Sequence, residues 1–198
     1  KIQAWGRLSH TEHQVIPLIT SSQTYKQIQH CTYPGIAHGM GRSYGDVALN
    51  GNGVLWLTTA MNHLISFDLN TGILHCEAGT TLQDIHRTLI PQGWMLPVTP
   101  GTQMITVGGA IANDVHGKNH HALGSFGDHV LYIKLLRTNG VMIFPFMIRT
   151  ITSLTVVSTT IPTLPSMRQS NRLLKMTPSV VYRLLQTEKM QPPLTMTS

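Results

Sequence analysis

Glycine stops at residue 140. All 17 glycines and all 11 histidines of this 198-residue chain lie in residues 1–140, and residues 141–198 contain neither. Seven of the eight acidic residues also precede the break, whereas six of the ten methionines follow it. The tail is crowded with Thr, Ser and Pro, as in "IRTITSLTVVSTTIPTLPSMRQSN" (residues 148–171). Globular chains run at about 7% glycine, so a single fold of uniform composition does not extend through both parts. We therefore expect a folded unit over 1–140 and an atypical tail over 141–198. The tail reads as a linker, as a disordered segment, or as sequence translated out of frame, with the third favoured. Its apolar content is not low enough to indicate disorder by itself. Within it, "TPSVVYRLLQTEKM" (177–190) is expected to form a short helix.

Charge narrows the function classes. The net charge is +6 and the isoelectric point about 9.6, yet residues 1–140 are near balance, with eight Lys/Arg against seven Asp/Glu. The excess sits in the tail, without aromatic interleaving or a basic helical face, so no nucleic-acid groove is indicated. No apolar run reaches the 18 or so residues of a membrane span. The opening "KIQAWGRLSH" lacks the apolar core of a signal peptide. Cys31 and Cys76 have neither a metal-finger nor a redox spacing and read as reduced thiols. The expected location is the cytoplasm, with peripheral attachment to a membrane as the alternative.

Residues 1–140 read as mixed α and β. "SSQTYKQIQHC" (21–31) suits a helix with a serine N-cap. "GVLWLTT" and "LISFD" are strand candidates, and "DLNTGILHCEAG" places an Asn-Thr-Gly turn before another strand. In "TTLQDIHRTLIPQG", Thr81 and Asp84 have capping-box spacing. Leu82, Ile85 and Leu89 share one face there, and Pro91 with Gly93 ends the helix. "HVLYIKLLRTNGVMIF" reads as two strands joined at Asn139-Gly140. Without a regular strand-helix-strand rhythm, the expected class is α+β.

Two glycine-rich stretches carry the chemistry. In "GIAHGMGRSYGDVALNGNG" (35–53), Gly39, Gly41 and Gly45 allow backbone amides to approach a ligand, with Arg42 and the Ser43 hydroxyl beside them, as a phosphate cradle requires. Simple structural turns account for such a stretch more often than a ligand does. It is neither a Walker loop nor a dinucleotide fingerprint, since "GMGRSYG" has one residue too many before its last glycine. The second stretch, "TVGGAIANDVHGKNHHALGSFG" (106–127), holds His116, His120 and His121. Gly117 and Asn119 argue against a helix that would bring His116 and His120 together, and Lys118 would repel a cation, so no metal site is expected. Neither Ser43 nor Ser125 sits in a nucleophile elbow.

"GMGRSYGD", followed by "PGTQMITVGGAIANDVHGKNHHALGSFGDHV", resembles the FAD-binding (PCMH-type) domain of the vanillyl-alcohol-oxidase flavoprotein superfamily. Within it, the likeness is to the decaprenylphosphoryl-β-D-ribose 2'-oxidase-like oxidoreductases. "WGR" at Trp5–Arg7 and "EAGTTLQDI" at Glu77–Ile85 add to it, and it extends from about residue 4 to residue 140. The resemblance implies two α+β subdomains clamping FAD, with the substrate domain missing from this chain. It implies that Ala37, His38, Gly39, Met40, Gly41, Arg42, Ser43, Tyr44, Gly45, Asp46 and Val47 wrap the pyrophosphate. Gly101, Thr106, Val107, Gly108 and Gly109 would line the ADP and ribityl path, and Asn113, Asp114, Val115 and His116 would approach the isoalloxazine. His116 and Lys118 would border the substrate pocket as catalytic candidates, the relatives' late catalytic lysine having no counterpart here.

Many superfamily members carry a flavin-linked histidine where this chain has Arg42, which implies non-covalent FAD. The implied activity is oxidation of a CH–OH group of a sugar or lipid-linked sugar by hydride transfer to flavin N5, with a reductase of an epimerisation pathway as partner. The alternative is a catalytically inactive FAD-binding fragment from a disrupted gene.

Overall fold

A computed structural model describes residues 2–30, 35–137, 140–145, 179–183 and 185–186. The first layer is a parallel sheet built from β1 (Gln14–Pro17), β2 (Gly35–His38) and β3 (Val54–Leu57), in the order β1-β3-β2. β1 and β2 are joined through helix α1 (Ser21–Gln29), the crossover that parallel strands require. The cap of α1 is Thr20, one residue before the expected serine. Its hydroxyl oxygen accepts the Gln23 N–H at 3.3 Å. Leu18, Ile28, Val54, Trp56 and Met61 form the core of this layer, joined by Leu136.

The second layer begins with β4 (Leu64–Asp68) and β5 (Ile73–Glu77), an antiparallel pair around the expected turn. In that turn the Asp68 carboxylate accepts the Asn70 N–H at 2.8 Å and the Thr71 hydroxyl at 2.6 Å. Helix α2 (Leu82–Leu89) follows, and Leu82, Ile85 and Leu89 are all buried. Its cap, Thr81, accepts the Asp84 N–H at 3.1 Å and gives its hydroxyl proton to the Asp84 carboxylate. Pro91 opens a 3₁₀ turn that closes at left-handed Gly93. The short β6 (Trp94–Met95), helix α3 (Val107–Ala112) and helix α4 (His120–Leu123) come next.

β7 (Val130–Arg137) and β8 (Gly140–Pro145) form the expected hairpin, with Arg137 opposite Gly140. Asn139 of the expected Asn139-Gly140 turn lies outside the described residues, and Gly140 is the first residue of β8. The composition break falls inside β8.

Within the stretch expected to form a short helix, the described residues 179–183 and 185–186 are strands instead. β9 (Ser179–Arg183) lies between β5 and β7, and β10 (Leu185–Gln186) pairs with β6. The run Ser-Val-Val-Tyr is β-branched and aromatic, which suits a pleated strand better than a helix. The resulting antiparallel sheet has the order β4-β5-β9-β7-β8. Its core includes Leu74, Cys76, Leu82, Leu96, Val98, Ala110, Phe126 and Val130. A parallel α/β layer and an antiparallel α+β layer are the two subdomains expected. Among the described residues, no helix is long and apolar enough to cross a membrane.

Candidate functional site

The two glycine-rich stretches meet at one cavity of about 290 Å³, at the lower end of the roughly 300–1,000 Å³ of small-molecule sites. One wall follows the end of β2, from Ile36 and Ala37 through Gly39–Tyr44 to Val47 and Ala48. The other runs along α3 and both of its flanks, with Ile105, Thr106, Gly108, Gly109, Ala112, Asn113 and Val115. Thr58 and Ala78 close it between them.

The chain approaches itself closely where the walls join. A Cβ on Gly39 would stand 2.6 Å from Thr106 Oγ1, and one on Gly108 would stand 3.1 Å from the Cβ of Ala78. Gly39 thus admits the Thr106 side chain, and Gly108 admits Ala78, against bare backbone. Gly41 and Gly45, at φ of 62° and 64°, turn the first loop through conformations that side chains rarely adopt. A Cβ on Gly45 would meet nothing within 4 Å.

Hydrogen bonding divides the walls by chemistry. At α3 the Val107 N–H donates to Thr80 O and the Gly108 N–H to Ala78 O, both at 2.8 Å, while the Gly109 N–H donates to Thr106 Oγ1 at 3.2 Å. This helix start is already satisfied by protein. Among the described residues, by contrast, no protein acceptor takes the backbone N–H of any residue from Gly39 to Gly45. Backbone N–H groups without a protein acceptor on a turning loop are the kind of donor that anion-binding nests use. Arg42 is the cation beside it, its Nη1 donating to Met40 O at 2.6 Å and its guanidinium 5.9 Å from the centre of the Trp5 ring.

The residues implied by the resemblance fall into three groups. Ala37, Gly39, Met40, Gly41, Arg42, Ser43, Tyr44, Val47, Thr106, Gly108, Gly109, Asn113 and Val115 line the cavity. His38 and Val107 are buried behind it, and His38 Nδ1 donates to Ala48 O at 2.8 Å, closing the base of the first loop. Gly45, Asp46, Gly101, Asp114, His116 and Lys118 are exposed and outside the lining. The His116 and His120 rings stand 5.2 Å apart, although no helix spans them. Among the described residues, no group of three or more His, Cys, Asp or Glu side chains is placed to hold a metal. Sequence reasoning did not assign Ile36, Ala48, Thr58, Ala78, Ile105 or Ala112. Ile36, Ala48, Ala78, Ile105 and Ala112 lay within stretches quoted for the resemblance or for their glycines, and Thr58 in the strand candidate "GVLWLTT", without a role given to any of them.

A match to the FAD binding domain family covers residues 22–144. Decaprenylphosphoryl-beta-D-ribose oxidase of Mycolicibacterium smegmatis is 40% identical over 144 residues, 71% of this chain and 31% of that protein. D-lactate dehydrogenase of Anaerostipes hadrus is 28% identical over 90 residues, 46% of this chain and 19% of that protein. A solved structure of alkyldihydroxyacetonephosphate synthase superposes with a TM-score of 0.68 over 87% of this chain and 31% of its own, at 14% identity, which shows a shared fold. The chain thus spans less than a third of the length of each of these proteins. With the matched residues holding both walls of the cavity, the chain belongs to the FAD binding domain family, in the vanillyl-alcohol-oxidase flavoprotein superfamily.

Proposed function

We propose that this chain is the cofactor-holding part of a FAD-dependent oxidoreductase acting on a CH–OH group of a sugar or lipid-linked sugar. The observation that supports this most is that Gly39 to Tyr44, whose N–H groups have no protein acceptor among the described residues, line a cleft in a chain 40% identical to a decaprenylphosphoryl-ribose oxidase. The residues present fit FAD. The N–H groups of the first loop and Arg42 would take pyrophosphate oxygens. Ile36, Ala78, Ile105, Ala112 and Val115 offer an apolar wall to a flat ring. Thr106 Oγ1 accepts from Gly109, which leaves its proton for a ligand oxygen.

When bound, FAD supplies a two-electron acceptor that takes a hydride at N5 from the alcohol carbon. His116 and Lys118, exposed on the loop after α3, would border the substrate and handle the hydroxyl proton. Arg42 brings no nucleophile to the first loop, so FAD is held non-covalently. A partner reductase would return the keto product to an alcohol, completing an epimerisation.

A second reading, a FAD-binding fragment without turnover, is favoured by the chain's spanning only 31% of the mycobacterial relative. The test is to saturate the full chain with FAD, desalt it, and record the visible spectrum. Acid precipitation of the yellow protein should then free all of the flavin. Protein that desalts colourless refutes FAD binding. Bound flavin that no sugar phosphate or lipid-linked pentose bleaches under anaerobic conditions supports the fragment reading.

A further inference from the structure

Helix α3 ends in a way that glycine normally handles. With Asn113 as its cap, the Asp114 N–H donates to Ile111 O and the Val115 N–H to Ala110 O, both at 3.0 Å. This is the paired bonding of a Schellman motif, whose residue after the cap adopts the left-handed conformation and is usually glycine. Here that residue is Asp114, at φ of 40°, one of three non-glycine residues with positive φ among the described residues. Its side chain has a use that glycine lacks. The Asp114 Oδ1 accepts the Gly127 N–H at 2.9 Å, across 13 residues of chain.

That bond closes the neck of a loop. Beside it the Phe126 N–H donates to Val115 O at 2.8 Å, and His116 bridges to Ser125. A second carboxylate, Asp128, takes the Ser125 N–H at 2.7 Å and its hydroxyl at 3.2 Å. The loop that this neck closes carries Lys118, His120 and His121, all exposed. Asn113 and Val115, on either side of Asp114, line the cavity, and Asp114 does not.

We propose that Asp114 is a positioning residue, whose carboxylate pins Gly127 and so fixes the loop of His116 and Lys118 beside the cleft without touching the cofactor. The consequence for the cofactor rests on the reading of the cleft as a FAD site. The consequence for the loop does not.

The test compares the full-length wild type with Asp114→Gly and Asp114→Asn. Three readouts are taken: the thermal midpoint, the rate of tryptic cleavage after Lys118 without FAD, and FAD affinity from quenching of flavin fluorescence. Glycine suits the left-handed position, so Asp114→Gly should keep the thermal midpoint. It should speed cleavage after Lys118 by about tenfold and weaken FAD binding by roughly three- to tenfold, the weight of one exposed bond to a carboxylate. Asparagine tolerates the same backbone and keeps an acceptor oxygen. Asp114→Asn should therefore stay within about threefold of wild type in both rates and affinity.

Cleavage of Asp114→Gly at the wild-type rate would overturn the pin. Equal impairment in Asp114→Asn would overturn positioning in favour of a role for the charge itself. If wild type does not retain FAD, the cofactor reading fails while the proteolysis still decides the pin.

Discussion

Replacing Gly39 by alanine tests whether the two walls of the cleft act as one unit. Gly39 is not in the left-handed region, so alanine can adopt its backbone. On that ground alone the change should stabilise by about 0.4–1 kcal/mol through the unfolded chain. The new Cβ would nevertheless stand 2.6 Å from Thr106 Oγ1 and 3.2 Å from its Cγ2. Thr106 is 3% exposed, and its hydroxyl caps α3 through Gly109, so it has little room to turn. Overpacking costs about 1–3 kcal/mol, and turning Thr106 away forfeits a cap of about 1 kcal/mol. The net expectation is a loss of about 1–3 kcal/mol in urea denaturation, with weaker FAD binding as the walls part.

Thr106→Ala supplies the control. It removes Oγ1 and Cγ2 and leaves a Cβ at 3.5 Å, ordinary contact, at the cost of the cap alone. The double variant should therefore be no less stable than Gly39→Ala, which gives a coupling of roughly 1–2 kcal/mol in the double-mutant cycle. Additivity within about 0.5 kcal/mol would refute the steric argument.

Two further predictions concern titration in the core. Burial pushes the Cys76 thiol up to about 12, with the Thr80 hydrogen bond opposing and the Glu77 charge adding. The unfolded thiol, near 9.0, ionises first, so stability should be full below pH 9 and fall as pH rises toward 12. Native protein at pH 8 should resist a thiol reagent until urea is added, and rapid labelling of Cys76 in native protein would contradict the burial. His86 is held below its usual value of 6.5 by burial, partly opposed by its hydrogen bond to Gln103, and His75 by burial and the Lys134 charge. Both favour the neutral ring in the fold, so stability should be present above about pH 6.5 and fall on acidification. His86→Gln should flatten the drop in urea midpoint between pH 7.5 and 5.5, and an undiminished slope would refute the assignment.

The elements that could be read from sequence are those set by neighbours along the chain. The β4–β5 pair, α2 with its Thr81 cap, and the β7–β8 hairpin all rest on turns and caps within a few residues. β1 and β2 went unread because their partner, β3, lies 18 or more residues further on, and four-residue strands leave little periodicity. β9 was taken for a helix because its place between β5 and β7 is a tertiary fact. At the site, glycine density located both walls of the cavity. It did not distinguish Gly39 and Gly108, whose bare faces meet protein, from Gly45 and Gly101, whose bare faces meet open space. Thr58 and Ala78 gave no signal of their own, being small residues brought to the cavity by the fold.

That distinction changes how the cleft is understood. Glycine beside a helix start suggests free amides at its N-terminus, yet the first turn of α3 is spent on Ala78, Thr80 and Thr106. Its glycines admit the strap of Ala78 to Thr80 against the helix, and that packing fixes where the second wall stands. The N–H groups without a protein acceptor lie instead on the first loop, from Gly39 to Gly45 among the described residues. That loop needs a rigid support to keep its donors aligned without a ligand. It has two: His38 at its start donates to Ala48 O beyond its end, and the adjacent Gly39 is packed against Thr106. On the FAD reading proposed above, one wall would supply donors to the pyrophosphate and the other would hold them in place.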